Sequence, residues 1–344
     1  MENLATNYPL FIAEVSGNHL GNLERCLDLV DAASFAGATA VKFQTFSPET
    51  MTLNLDRDEF RVSKNHELWG GQKLFDLYNQ TKTPREWHRE LFSRARDKGL
   101  IPFSSPFDFS AVDFLETLDC SLYKIASLET SDLQLIAYAA STGKPIIIST
   151  GATYFDEIRD AVEACLNVGN SQITLLVCTS SYPAQASDAN LRRLELLRET
   201  YNVSVGLSDH TLGIGVSVAA IALGATVIEK HLTISRSDGG PDSAFSLEPN
   251  EYRNLVTEGK AAWDSLGTRQ WQISESENES RRLRRSLYIT KDVKKGEFAS
   301  VENIAALRPG YGVSPKFLSE IVGRKFVKDF ALGTSLQLEY VEDN

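Results

Sequence analysis

The 344-residue sequence has no apolar run close to the roughly 18 residues that cross a bilayer. Its first residues, Met1-Glu2-Asn3-Leu4, lack the basic segment of a secretory leader. Secretion and membrane insertion are therefore not expected, and the cytoplasm is the expected compartment. Cysteine is scarce, and Cys26, Cys120, Cys165 and Cys178 lack paired metal-ligand spacing. They read as buried small hydrophobes in a reducing compartment. Positive charge is also in deficit: the net charge is −11, which argues against a general binder of nucleic acid or membrane surface. It does not exclude a small anionic substrate, because a few cations converging in one cleft can hold a phosphate inside an acidic protein. No internal repeat stands out.

What is present is alternation. From residue 11 to about 265, eight short apolar runs alternate with amphipathic stretches of helical length. The runs are Phe11–Val15, Ala40–Gln44, Ile101–Ser104, Leu122–Ile125, Pro145–Ser149, Ile173–Val177, Val203–Leu207 and Thr226–Glu229. Most are continuously apolar, as strands buried on both faces of a parallel sheet must be. Helices are expected over Leu23–Phe35, Pro84–Lys98, Phe109–Leu118 and Tyr154–Asn167. Asp108 is a candidate N-cap, and Gly37, Gly99, Gly143 and Gly224 stand where helices should stop. Eight βα units of this total length predict a (β/α)8 barrel over 1–267. A doubly wound sheet is the rival, but no glycine-rich dinucleotide loop follows the first strand. The stretch from Thr45 to Lys82 is long for a βα connection and is expected to fold over the site or to contact a second subunit. Residues 268–284 have linker composition, and 285–344 read as a small β-rich domain.

In such a barrel, chemistry sits at the C-terminal ends of the strands. The polar residues there include Glu14, Ser16, Asn18, His19, Lys42, Gln44, Ser104, Ser105, Lys124, Ser127, Glu129, Ser149, Thr179, Ser180, Tyr182, Ser208, Asp209, His210, Glu229, Lys230 and His231. His210 and His231 end consecutive parallel strands, so their imidazoles can lie side by side. Two such rings with open positions suit a divalent ion acting as a Lewis acid, although each could instead be a hydrogen-bonded barrel histidine. Asp209 either orients that site or accepts structural hydrogen bonds. Lys42 and Lys124, with the hydroxyls of Ser105, Ser127, Ser149 and Ser208, form a set suited to a phosphate and a carboxylate. Glu14 and Glu129 are candidates for holding sugar hydroxyls or moving protons; the alternative is that they balance the lysines. His88 lies in a helical stretch and reads as structural. His66 sits in the long insertion without an assignable role, and Trp69 reads as a packing residue.

The local strings resemble the sialic acid synthase family. They include Phe11-Ile12-Ala13-Glu14, Val41-Lys42-Phe43-Gln44-Thr45, Ser104-Ser105-Pro106-Phe107-Asp108 and Tyr123-Lys124-Ile125-Ala126-Ser127. Ser149-Thr150-Gly151, Cys178-Thr179-Ser180-Ser181-Tyr182-Pro183, Gly206-Leu207-Ser208-Asp209-His210 and Ile228-Glu229-Lys230-His231 continue the series. In the tail, Arg285-Ser286-Leu287-Tyr288, Lys294-Lys295-Gly296 and Arg308-Pro309-Gly310 are similar to the family's antifreeze-like (SAF) domain.

The resemblance implies a (β/α)8 barrel followed by that domain, in a homodimer whose antifreeze-like domains each cap the partner's site. It implies phosphoenolpyruvate on Lys42, Ser105, Lys124, Ser127, Ser149, Ser180 and Ser208. Ser180 stands where N-acetylneuraminate synthases commonly have asparagine. A divalent ion, manganese or magnesium, is implied on His210 and His231. Glu14, Gln44, Glu129, Tyr182 and Asp242 are implied to face an amino sugar, with Arg308 reaching over from the neighbouring subunit.

Three features are closer to the pseudaminic-acid-forming branch: Ser104-Ser105-Pro106, the Lys82 to His88 string, and Ser243-Ala244-Phe245-Ser246-Leu247. The precursor of that acid, 2,4-diacetamido-2,4,6-trideoxy-L-altrose, has more apolar surface than N-acetylmannosamine. Phe245 could meet it, or could pack in the loop after strand eight. N-acetylneuraminate or legionaminate formation is the nearest alternative. A Schiff-base aldolase using Lys124 or Lys42 would need no metal and would trap a pyruvate adduct with borohydride. A non-catalytic carbohydrate-binding protein would bind sugar and release no phosphate.

Overall fold

The computed structural model describes residues 8–64 and 69–343, so His66 lies outside the described residues. The chain divides between Gly267 and Thr268 into two compact units. In the first, eight parallel strands close into a barrel. They are β1 (Leu10–Glu14), β2 (Ala40–Thr45), β3 (Ile101–Pro106), β4 (Tyr123–Ile125), β5 (Ile146–Ser149), β6 (Ile173–Cys178), β7 (Ser204–Asp209) and β8 (Val227–His231). Each falls within one or two residues of its sequence-based expectation, because an unbroken apolar run flanked by turn residues has little freedom to fold otherwise.

The helices that follow these strands are α1 (Leu23–Phe35), the pair α2 (Pro48–Met51) and α3 (Leu74–Thr81) with α4 (Arg85–Asp97), then α5 (Phe109–Glu116), α6 (Leu133–Ser141), α7 (Phe155–Asn167), α8 (Arg193–Tyr201), α9 (Gly215–Ala222) and α10 (Pro249–Ser265). Short side chains set several starts. Asn22, Asp108 and Asp132 each accept the backbone N–H three residues on, at 3.0, 2.8 and 3.0 Å. Leu29, Val30, Leu91, Phe92, Leu135, Ile136, Leu194, Ile221 and Leu255 pack the helical layer onto the strands in one continuous core.

Register aligns the polar strand ends. Glu14 pairs with Lys42 on one side and His231 on the other; Gln44 pairs with Ser105, and Ser208 pairs with both Cys178 and Glu229. Side chains alternate between barrel interior and helical layer along each strand, so Lys42 with Gln44, and Glu229 with His231, share the interior face. Gly206 lies one pleat below Ser208. A Cβ there would meet the Val227 carbonyl at 2.3 Å and Leu176 Cδ2 at 2.7 Å, so the narrow barrel admits only glycine.

The second unit pairs β9 (Ser286–Ile289) antiparallel with β10 (Ile304–Leu307). Leu287, Ile289, Ile304, Ile321, Phe326 and Leu336 form its own core. The segment expected as a plain linker contains a 3-10 turn at Glu275–Glu277 and a short helix, α11 (Asn278–Arg282), both solvent-exposed. The Ser274–Glu277 capping pair supplies the reason, because it satisfies free N–H groups locally.

Candidate active site

A cavity of about 440 Å³ opens at the C-terminal end of the barrel. Its floor is ionic. Lys42 Nζ lies 2.6 Å from Glu14 Oε2 and 3.7 Å from Glu229 Oε2, while Lys124 Nζ lies 3.6 Å from Glu229 Oε1. All four residues are 4% exposed or less, so these charges interact with little screening by water. Ser208 donates to Glu229 Oε1 at 3.0 Å and Gln44 Nε2 to Glu14 Oε1 at 2.9 Å.

The two carboxylates are driven apart. Burial pushes Glu14 above the usual carboxylate range, against the opposing pull of Lys42. Burial also acts on Glu229, but Lys124, Lys42, the Ser208 hydroxyl and His210 together outweigh it and hold this group below that range. Glu229 is therefore the fixed anion of the floor, and Glu14 is the carboxyl able to take a proton. Burial also raises Glu129, in the 3-10 turn after β4, to about 7, against the pull of Lys124.

Hydroxyls ring the space above the lysines. Ser127 Oγ accepts the Gly151 N–H at 3.0 Å, Ser149 Oγ is buried with no protein partner, and Ser180 Oγ is buried within reach of the Tyr182 hydroxyl. A Cβ at Gly151 would sit 2.3 Å from Ser180 Oγ and 2.9 Å from Ser127 Oγ, so glycine keeps that corner open. Hydroxyls above two ammonium groups make a site for an anion. Ser105 lies deeper: it receives a 3.4 Å contact from Lys42 and does not line the cavity.

His210 and His231 stand side by side, ring centroids 5.3 Å apart, at one edge of this floor. His210 Nδ1 donates to the Thr179 carbonyl at 2.9 Å, which makes Nε2 the nitrogen with a lone pair whenever the ring is neutral. Burial keeps His231 well below the ordinary histidine range, and its Nδ1 is buried without a partner. Burial acts the same way on His210, but Cys178 and the Thr179 carbonyl outweigh it and hold this ring above that range, so a divalent ion held by the pair would displace a proton from His210. Among the described residues no group of three or more His, Cys, Asp or Glu is arranged to hold a metal, so water and substrate would fill the other positions. Tyr182 packs on His210 at 4.5 Å, and Asp242 accepts the Ser16 hydroxyl beside Gln44.

Several strand-end residues face away from the cavity. Lys230 Nζ bonds Asp209 Oδ2 at 2.8 Å, and Asp209 also accepts Ser217 of α9 and both donors of Thr211. This settles Asp209 as a structural acceptor. Ser104 bonds Thr45, which bonds His88, on the outer face of β2 and β3. The cause is the pleat: these residues alternate with the inward-facing ones. Phe245 is a further correction. It is 1% exposed, does not line the cavity, and wedges against His210 and His231 at 5.9 and 4.9 Å, so it holds the imidazoles instead of contacting sugar. Trp69, read as a packing residue, does line the cavity and lies 5.9 Å from Tyr182. Arg308 ends up in the second unit, just beyond β10.

Three functional positions had no assigned role in the sequence reading: Glu229, Ser16 and Cys178. Glu229 was recoverable, because it precedes His231 by two residues on one strand and must share its face. Cys178, the last residue of β6, lies 3.9 Å from His210 Nδ1 and gave no signal beyond its strand end.

The family model described as the NeuB family matches residues 29–271, and that of the SAF domain matches residues 284–342. The chain is 41% identical to the pseudaminic acid synthase of Campylobacter jejuni over 97% of both chains. It is 43% identical to that of Helicobacter pylori over 97% of this chain and 98% of the relative. The crystal structure of an N-acetylneuraminic acid synthetase from Leptospira borgpetersenii, in complex with citrate, superposes with a TM-score of 0.71 at 32% identity, covering 80% of this chain and 90% of that one.

Proposed function

This chain belongs to the NeuB family, and from that premise we propose that it condenses phosphoenolpyruvate with open-chain 2,4-diacetamido-2,4,6-trideoxy-L-altrose to give pseudaminic acid and phosphate. The observation that carries the reading is the stacking, in one cavity, of a buried Lys42–Glu14–Glu229–Lys124 array, buried serine hydroxyls and a pair of side-by-side imidazoles.

In the reaction, C3 of phosphoenolpyruvate bonds to C1 of the sugar aldehyde. Water adds at C2, the C2–O bond breaks, and phosphate leaves with its bridging oxygen. Lys42 and Lys124 offset the phosphate and carboxylate charge, and Glu229 keeps both ammonium groups in place. Ser127, Ser149 and Ser180 donate to phosphate oxygens, a role that their position above the lysines suits. Glu14, tied to Gln44 and raised by burial, is the group poised to exchange a proton with the sugar end. His210 and His231 would hold a manganese or magnesium ion, which when bound supplies Lewis-acid polarisation of the aldehyde carbonyl. The reading includes a cytoplasmic homodimer in which Arg308 of one subunit reaches the other's sugar. Among the described residues no helix is long and apolar enough to cross a membrane.

The test is phosphate release and product mass with three acceptors: the trideoxy-altrose, its legionaminic counterpart and N-acetylmannosamine. The altrose precursor is expected to be preferred. Preference for either other sugar overturns the acceptor assignment. A borohydride-trapped pyruvate adduct would favour the Schiff-base aldolase, and sugar binding without phosphate release a carbohydrate-binding protein.

Glu129 gives the pH dependence. Above its value of about 7 it is an anion within electrostatic reach of Lys124, and it cancels part of the attraction for phosphate. The KM for phosphoenolpyruvate is therefore expected to rise severalfold as pH increases through 7, and Glu129→Gln is expected to remove that rise. An unchanged profile in the variant would take Glu129 out of the anion site.

A further inference from the structure

The cavity has a second wall that the ionic chemistry does not use. Met51, Val62, Trp69, Leu74 and Tyr78 line it from the connection between β2 and α4, and Phe107 joins them from the end of β3. Nearly all of this surface comes from one segment, the long insertion that the sequence led us to expect over the site or against a second subunit. It is anchored to the barrel: Phe46 packs edge-on against Tyr78 and Phe107 at 5.9 and 5.3 Å, and Gly17 leaves just enough space for Thr81. It is also continuous with the imidazole pair, through Trp69 on Tyr182 and Tyr182 on His210. One cavity thus has a charged floor and an apolar flank.

An apolar flank over a site for sugar and phosphate needs an apolar occupant, because otherwise it only dewets hydroxyls at a cost. Phosphoenolpyruvate, a small polyanion, offers none and is drawn to the floor. Methyl groups on the acceptor are what remain: the acetamido methyls and, in a 6-deoxy sugar, C6. We infer that the insertion is the acceptor-selecting element, with Met51, Leu74 and Tyr78 forming a receptor for the N-acyl and deoxy methyls of the amino sugar. The inference rests on the proposed reading only in taking the acceptor to be an N-acyl sugar. It assigns selectivity to the β2–α4 segment and not to the loop after β8.

The test uses the full-length, metal-loaded enzyme and whichever acceptor the wild type turns over best. That sugar is compared with its N-formyl analogue, which lacks the methyl. Wild type is expected to favour the acetyl form by about 10- to 200-fold in kcat/KM, the discrimination one methyl-sized contact gives in an apolar pocket. Met51→Gln and Leu74→Gln, at half-buried positions, are expected to reduce that ratio by at least about tenfold while leaving the KM for phosphoenolpyruvate unchanged. Met51→Leu and Leu74→Met are expected to keep it. An acetyl-to-formyl ratio that survives both glutamine variants overturns the inference, as does a loss of selectivity in the apolar replacements equal to that in the glutamines. Use of N-acetylmannosamine in place of the altrose would overturn the pseudaminic assignment, yet this ratio would still test the wall.

Discussion

Replacing His231 by alanine is expected to lower turnover by on the order of 10³-fold, equivalent to several kcal/mol of lost carbonyl polarisation. Binding of manganese, followed by equilibrium dialysis or electron paramagnetic resonance, is expected to fall with it. The far-ultraviolet circular dichroism is expected to stay unchanged, because His231 ends β8 and its Nδ1 holds no partner that folding would miss. His210→Ala should act the same way, and the double variant should lose little more, since two ligands of one ion act as a unit. The Phe245 contact makes the result specific. Phe245→Leu should loosen both rings and weaken metal affinity without removing a ligand. Full metal-dependent turnover in His231→Ala would remove the ion from this edge of the barrel.

The second large effect belongs to Lys42. Lys42→Met is expected to abolish measurable phosphoenolpyruvate binding and also to destabilise the barrel by about 3–5 kcal/mol, the usual consequence of leaving a buried charge without its partner. The reason is local: Lys42 stands between Glu14 and Glu229, and without it two buried carboxylates face each other with only Lys124 nearby. Adding Glu14→Gln should recover much of the stability by removing one of those charges, and none of the binding. Chemical denaturation and calorimetric titration with phosphoenolpyruvate separate the two readouts. If Lys42→Met retained wild-type stability, the buried array would not be ionised as described. If it retained binding, the anion would sit elsewhere.

Legibility differed between fold and site. β1 to β8 were readable because a strand covered on both faces must be apolar throughout, and few other structures bury such runs. The helix start at Asp108 was readable from a side chain that satisfies its own backbone, whereas the equal caps at Asn22 and Asp132 emerged only in the structure. The list of strand-end polar residues was only half informative. Lys42, Glu14, Lys124 and His231 face the cavity, whereas Asp209, Lys230 and Ser104 turn to the helices and bond there. A list of strand-end residues carries no phase, and a pleat reverses direction at every step. Phe245 and Trp69 exchanged roles for a different reason. Whether a ring touches solvent space or another ring depends on neighbours from distant segments, and for Trp69 that neighbour is Tyr182, more than a hundred residues away.

By itself the sequence determined the barrel, the order of its strands and the kind of chemistry at its mouth, because apolar periodicity and residue type are local properties. Only the tertiary structure decided which carboxylate stays ionised, which imidazole nitrogen is already bonded to the protein, and that the long insertion forms an apolar flank. Those outcomes depend on burial and on distances of a few ångströms between residues far apart in the chain. Coulombic and desolvation energies change steeply over that range, and no spacing along the sequence encodes it.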